Sequence, residues 1–110
     1  MEDFVTLEIA KKLKEKGFPI KTKTEGKFGL TKLKEVEILP TISQVLKWLR
    51  KKYFIHISTK PYPCEDGLMW LYEIRKFSEY IIAIVADKTG FTQEEQAALA
   101  GIEYTLDNLI

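Results

Sequence analysis

The 110 residues contain one cysteine and one histidine. Cys64 alone can form no intramolecular disulfide, so a disulfide scaffold is excluded. A structural zinc site needs about four ligands in paired spacing; His56, Cys64, Glu65 and Asp66 offer no such pairing. Neither a G-x-G-x-x-G run nor a P-loop is present, so no bound cofactor and no metal is expected. Six glycines and four prolines exclude a collagen-like or proline-rich low-complexity chain. The longest apolar run, Tyr80 to Ala86, is too short to cross a bilayer as a helix. Met1-Glu2-Asp3-Phe4 is acidic and does not read as a signal peptide. With a lone thiol suited to a reducing compartment, a cytoplasmic protein without a membrane partner is expected.

Hydrophobic residues make up 45% of the chain and charged residues 30%. That balance suits one ordinary globular domain over 1–110, large enough to hold a core of its own. The formal net charge of +1 conceals a polarity. Residues 1–60 carry 14 Lys/Arg against 7 Asp/Glu, and residues 61–110 carry 3 against 9. Such asymmetry points either to nucleic acid or an acidic partner, or simply to two differently solvated faces.

Hydrophobic periodicity gives the elements. Residues 3–16 read as a helix capped by Asp3, with Val5, Ile9 and Leu13 as its core stripe. Gly17 ends it and Pro19 blocks continuation. Thr22, Thr24, Phe28 and Leu30 around Glu25-Gly26 suggest a hairpin, and Val36 and Ile38 a short half-buried strand. Residues 41–53 give the clearest helix. Thr41 and Gln44 form a capping box, and Ile42, Val45, Leu46, Leu49 and Tyr53 share the apolar face. Phe54 to Thr59 reads as a strand, turned around by the Pro61–Pro63 loop and Asp66-Gly67.

Residues 68–87 fit two strands, with Trp70, Tyr72 and Ile74 on one face and Tyr80 to Ala86 following, but also fit one helix through Trp70, Ile74, Phe77, Ile81 and Ile84. Aromatic and β-branched enrichment favours the strands. Asp87-Lys88-Thr89-Gly90 has the pattern of a type I turn. Thr92 and Glu95 suggest a second capping box, opening a helix with a Leu99, Ile102, Leu106, Leu109 stripe. Gly101 inside that helix implies close approach of another backbone. The fold class expected is α+β: a small antiparallel sheet of about three strands, helices at both ends, and a central amphipathic helix packed on one face.

Three strings carry a resemblance: Asp3-Phe4-Val5-Thr6-Leu7-Glu8-Ile9-Ala10, Pro40-Thr41-Ile42-Ser43-Gln44-Val45-Leu46-Lys47-Trp48-Leu49-Arg50, and Glu95-Gln96-Ala97-Ala98-Leu99-Ala100-Gly101-Ile102-Glu103-Tyr104. Through them the chain resembles short uncharacterised proteins of gut-bacterial prophages and other mobile elements. The resemblance implies a Trp- and Tyr-containing extended segment before the last helix, and supplies no catalytic residue.

For chemistry, a His/Cys catalytic pair would need His56 near Cys64, and no nucleophile motif surrounds Cys64. Glu35 and Glu37 alternate as on a solvated strand edge, and Glu94 and Glu95 suit a helix N-terminus. No enzyme is expected. Two surfaces remain. Lys47, Arg50 and Lys51, with Lys52 and Trp48 at the margin, suit phosphate contacts with a stacking aromatic, or else a plain solvated helix face. Trp70, Tyr72, Phe77 and Tyr80 suit either a partner site or the sheet core. The expectation is a small non-enzymatic accessory protein with an unknown protein partner; the alternative is a nucleic-acid-binding module using the basic N-terminal half.

Overall fold

The computed structural model describes residues 3–25, 34–79 and 81–110, with Glu25, Lys34 and Glu35 described by backbone only. The order is α1 (Leu7–Glu15), β1 (Thr22–Glu25), β2 (Lys34–Glu37), α2 (Ile42–Tyr53), β3 (Ile55–Cys64), β4 (Gly67–Phe77), β5 (Ile82–Phe91) and α3 (Glu94–Asn108). β1 and β2 form a two-stranded antiparallel ladder, and β3-β4-β5 a three-stranded antiparallel meander. The α+β class and the central helix packed on the sheet are as expected, and Gly67–Phe77 and Ile82–Phe91 are two strands rather than parts of one helix. Phe28, Leu30 and Tyr80 lie outside the described residues.

Strand alternation gives the meander two unlike faces. Ile55, Ile57, Tyr72 and Ile74 point to one side and are buried. α3 lies across all three strands, α2 against β3, and α1 against α3. α3 buries Ala97, Ala98, Gly101, Ile102, Thr105 and Leu106. Its small residues let the helix sit close: a Cβ on Gly101 would lie 2.9 Å from Ile57 Cγ2 and 3.3 Å from the Tyr72 ring. The close neighbours of Gly101 are side chains of β3 and β4, not the second backbone that the sequence implied. Leu99 and Leu109 are half-buried rather than central, because a helix seated this closely uses its alanines as the contact row. Lys12 clamps α1 to α3 through Asp107 (3.0 Å) and Glu103 (3.7 Å). The hydrogen bond to Asp107 raises the Lys12 pKa, against the opposing effect of burial.

Several boundaries differ from the sequence pattern. α1 begins at Leu7 with Thr6 as its cap, Thr6 Oγ1 accepting from Ile9 N–H at 3.2 Å. Asp3 is not a cap; its carbonyl accepts from Ile42 N–H (2.8 Å), and Val5 N–H donates to Pro40 O (3.0 Å). Residues 3–5 thus clip onto the start of α2. β3 runs through Pro61 and Pro63 to Cys64. It is an edge strand, and on its open side a missing N–H breaks no ladder bond.

Asp87 to Gly90 is strand, not turn. The register slips between Trp70↔Phe91 and Tyr72↔Lys88, and again at Val85. Gly90, at φ 95°, absorbs the first irregularity and donates its N–H to Tyr62 Oη at 2.9 Å. The Thr92–Glu95 box does not form. Gln93 is the N-cap without a side-chain bond, and the Thr92 hydroxyl donates to Gln96 Oε1 (2.9 Å). The Thr41–Gln44 box does form, at 3.2 and 2.9 Å.

Candidate functional site: a lysine-rimmed groove on the central helix

Gly17, at φ 89°, ends α1 in the left-handed conformation. The chain then turns back, and Phe18 N–H donates to Leu13 O (2.9 Å). This lays Phe18 and Pro19 beside α2. Farther along, Ile38 N–H donates to Lys21 O (2.7 Å) and closes the base of the β1–β2 ladder. The segment Ile38-Leu39-Pro40 follows directly and leads into the Thr41 cap. These segments and α2 enclose a groove of about 350 Å³. Phe18, Pro19, Ile38, Leu39, Pro40 and Trp48 supply its apolar surface, and Lys21, Lys47, Lys51 and Gln44 its polar groups.

The helix explains the rim. Gln44, Lys47, Trp48 and Lys51 stand at i, i+3, i+4 and i+7, one stripe of α2. Ile42, Val45 and Leu49 form the buried stripe, with Leu46 half-buried at its edge. Of the three basic residues expected to act together, the groove gathers Lys47 and Lys51. Arg50 is exposed outside it and lies near enough to His56 for its charge to depress the imidazole pKa. Lys21 joins the rim from the β1–β2 side, and the sequence pattern missed it because it is 26 positions from Lys47.

Trp48 is not an open stacking platform. Phe18 meets it edge-on at 5.2 Å between ring centroids and Tyr53 at 5.3 Å. Lys52 Nζ lies 5.3 Å from the Trp48 centroid and 5.6 Å from that of Tyr53, a cation–π arrangement. Tyr53 Oη donates to Lys16 O at 3.4 Å. The indole is therefore fixed as a wall of the groove.

The other candidates separate. His56 and Cys64 stand eight positions apart on one extended strand, about 27 Å at the rise of a β-strand, so they do not form a pair. Cys64 is exposed at the β3–β4 turn, its thiol donating to Gly67 O (3.2 Å). His56 lies on the helix-free face, its ring 6.2 Å from that of Phe77. Burial lowers its pKa, and the charges of Arg50 and Arg75 add to the effect. Glu73, on the same face, accepts from Arg75 Nε (2.6 Å) and Lys60 Nζ (3.4 Å). Burial pushes the Glu73 carboxyl up, but these hydrogen bonds outweigh it and the net shift is downward. Glu37 pairs with Lys14. Among the described residues no group of three or more His, Cys, Asp or Glu is placed to hold a metal ion.

Of the aromatic set, Tyr72 is core, and burial raises its pKa. Trp70 and Phe77 are half-buried. Asp3, Trp70, Gln93, Glu94 and Glu95 line a shallow acidic hollow at the start of α3, where Glu94 accepts from the Thr59 hydroxyl (3.0 Å). No described helix is long and apolar enough to cross a membrane. Compared with protein families, curated proteins and solved structures, the chain matches none.

Proposed function

We propose that this chain is a small, non-enzymatic interaction protein that holds an acidic segment of a protein partner in the α2 groove, anchored by an apolar side chain. The observation that carries this reading is the coincidence of an apolar floor with three lysines on its rim, Lys21, Lys47 and Lys51. The floor suits an aliphatic or aromatic side chain, and the rim suits carboxylates flanking it. The further reading, a cytoplasmic accessory protein of a mobile element, rests on the sequence resemblance and on the single free thiol.

A nucleic-acid module is the second reading. It is favoured by Lys47, Arg50 and Lys51 on one helix and by the basic excess of residues 1–60. It is weakened because Trp48 is already walled in by Phe18 and Tyr53, so no base stacks there without displacing them.

The deciding experiment is fluorescence anisotropy with two labelled probes: a short peptide carrying a Phe-Leu pair flanked by Asp and Glu, and duplex DNA. The protein-partner reading expects peptide binding that is lost in Lys47→Glu/Lys51→Glu and lost again when the Phe-Leu pair is replaced by Ser-Ser. DNA binding that is micromolar at about 150 mM salt and abolished by Lys47→Gln/Arg50→Gln/Lys51→Gln overturns it, since phosphate contacts carry a steep salt dependence.

A further inference from the structure

The β3–β4 hairpin outgrows its sheet. The outermost pair that β4 makes with β5 is Trp70↔Phe91, whereas β3 and β4 pair on through Tyr62↔Met69, Pro63↔Leu68 and Cys64↔Gly67. Beyond Trp70 the hairpin is therefore a two-stranded arm without a third strand. Its base is braced: Tyr62 Oη accepts from Gly90 N–H at 2.9 Å, and the rings of Pro61 and Pro63 fix the backbone φ of β3. Its tip is the turn Glu65-Asp66, with both residues exposed. Leu68, 59% exposed, stands beside them opposite Pro63. From Pro61 to Tyr72 these two carboxylates are the only charges, so the arm carries no cation to offset them. Lys60, the nearest in sequence, donates to Glu73 instead. Among the described residues neither Glu65 nor Asp66 has an ion-pair partner.

The α2 groove is the complement of this tip. Lys21, Lys47 and Lys51 are exposed on its rim and no carboxylate lines it. Among the described residues none of the three lysines has an ion-pair partner. No residue of the arm lines the groove of its own molecule, so within one copy the two charged surfaces stay apart. We propose that the β3–β4 arm of one copy docks in the α2 groove of a second copy, with Leu68 on the apolar floor and Glu65 and Asp66 on the lysine rim. This rests on the groove reading and names the occupant. Charge complementarity selects the arm, and its shape agrees: the acidic surface at the start of α3 is itself a hollow and cannot enter a groove. The braced arm is ordered before it binds, so docking costs little conformational entropy. Every chain that carries the groove also carries the arm, so the two are always present in equal amounts. The contact is heterologous, with the tip of one copy in the groove of the next.

Sedimentation velocity of the full chain, from low micromolar to a few hundred micromolar at physiological salt, tests this with two variants. The arm variant is Glu65→Gln/Asp66→Asn/Leu68→Ser, and the groove variant is Lys47→Glu/Lys51→Glu. The parent chain should shift with concentration from 12.8 kDa to larger species, and the acidic Phe-Leu peptide should return it to monomer. Each variant alone should stay monomeric. Mixed in equal amounts, they should form a species of twice the monomer mass and no larger, because one intact arm meets one intact groove; this recovery also shows that both variants are folded. A mixture that stays monomeric, or an assembly that survives in either variant alone, overturns the docking. A parent chain that is monomeric throughout yet binds the peptide overturns this inference and leaves the groove reading standing. A monomer that does not bind the peptide overturns both.

Discussion

Ile74 and Ile84 lie on neighbouring strands of one sheet, and their surroundings are opposite. Ile74 is 0% exposed and Ile84 58%. The residue type and the local alternation are the same. What differs is the side of the sheet: α3 lies over the face of Ile74, and no described element lies over the face of Ile84. α2 repeats the contrast around one helix, with Leu49 fully buried and Lys47 in water. The covered side carries the stability of the fold. The open side carries apolar groups whose burial folding does not supply, and the proposed α2 groove lies on the open side of its helix.

The largest expected effect is on the covered side. Ile74→Ala should cost about 2–5 kcal/mol in urea or thermal unfolding, the transfer loss plus a cavity under α3. Ile84→Ala should cost less than about 0.5 kcal/mol, as surface substitutions do. Equal losses at the two positions would break the comparison.

Next in size is a gain. Phe54 caps α2 with φ 56° and its side chain is 62% exposed. A left-handed residue with a Cβ is strained, and glycine is the usual occupant. Phe54→Gly should therefore stabilise by about 1 kcal/mol, because the lost ring was mostly in water. A lower unfolding midpoint would show that Phe54 packs on something.

The two threonines before helices give a finer contrast. Thr41→Ala should cost about 1 kcal/mol, since it removes an acceptor from Gln44 N–H. Thr92→Ala should cost less than about half of that, because Thr92 bonds a side chain rather than an open backbone N–H. The smallest effect concerns pH. The folded-state pKa of His56 lies below the ordinary 6.5, so folding favours the neutral ring. Its contribution is present above about pH 6.5 and is lost as pH falls through the lowered folded-state value. The urea midpoint should drop from pH 7.5 to pH 5, and His56→Gln should flatten that drop. An unchanged slope would place the titration elsewhere.

Much of this was legible in the sequence, for physical reasons that also mark where it stopped. The Thr41–Gln44 box, the Ile42–Val45–Leu49 stripe and the Gly17 stop are local, so short spacings report them. Gly101 was legible because a helix-interior glycine has a cost that needs a reason. Strand ends were less so. Pro61 and Pro63 read as a loop because their tolerance depends on β3 being an edge, a property of the sheet and not of the segment. Asp87 to Gly90 imitates a turn because a bulge uses the same residues. Lys21 entered the groove only through tertiary placement. The exposure of Ile82 and Ile84 was invisible for the same reason: alternation reports that a strand has two faces, and not which of them a helix will cover.

The central claim is that the open side of α2 is a binding groove with charge selectivity, and the most direct measurement is a titration followed by Trp48 fluorescence in a Trp70→Phe background. Addition of the acidic Phe-Leu peptide should shift the emission saturably, and Lys47→Glu/Lys51→Glu should abolish the shift while its unfolding midpoint stays within about 0.5 kcal/mol of the parent, as expected for exposed positions. An emission unchanged by the peptide, or a shift that persists without the two lysines, would contradict the account.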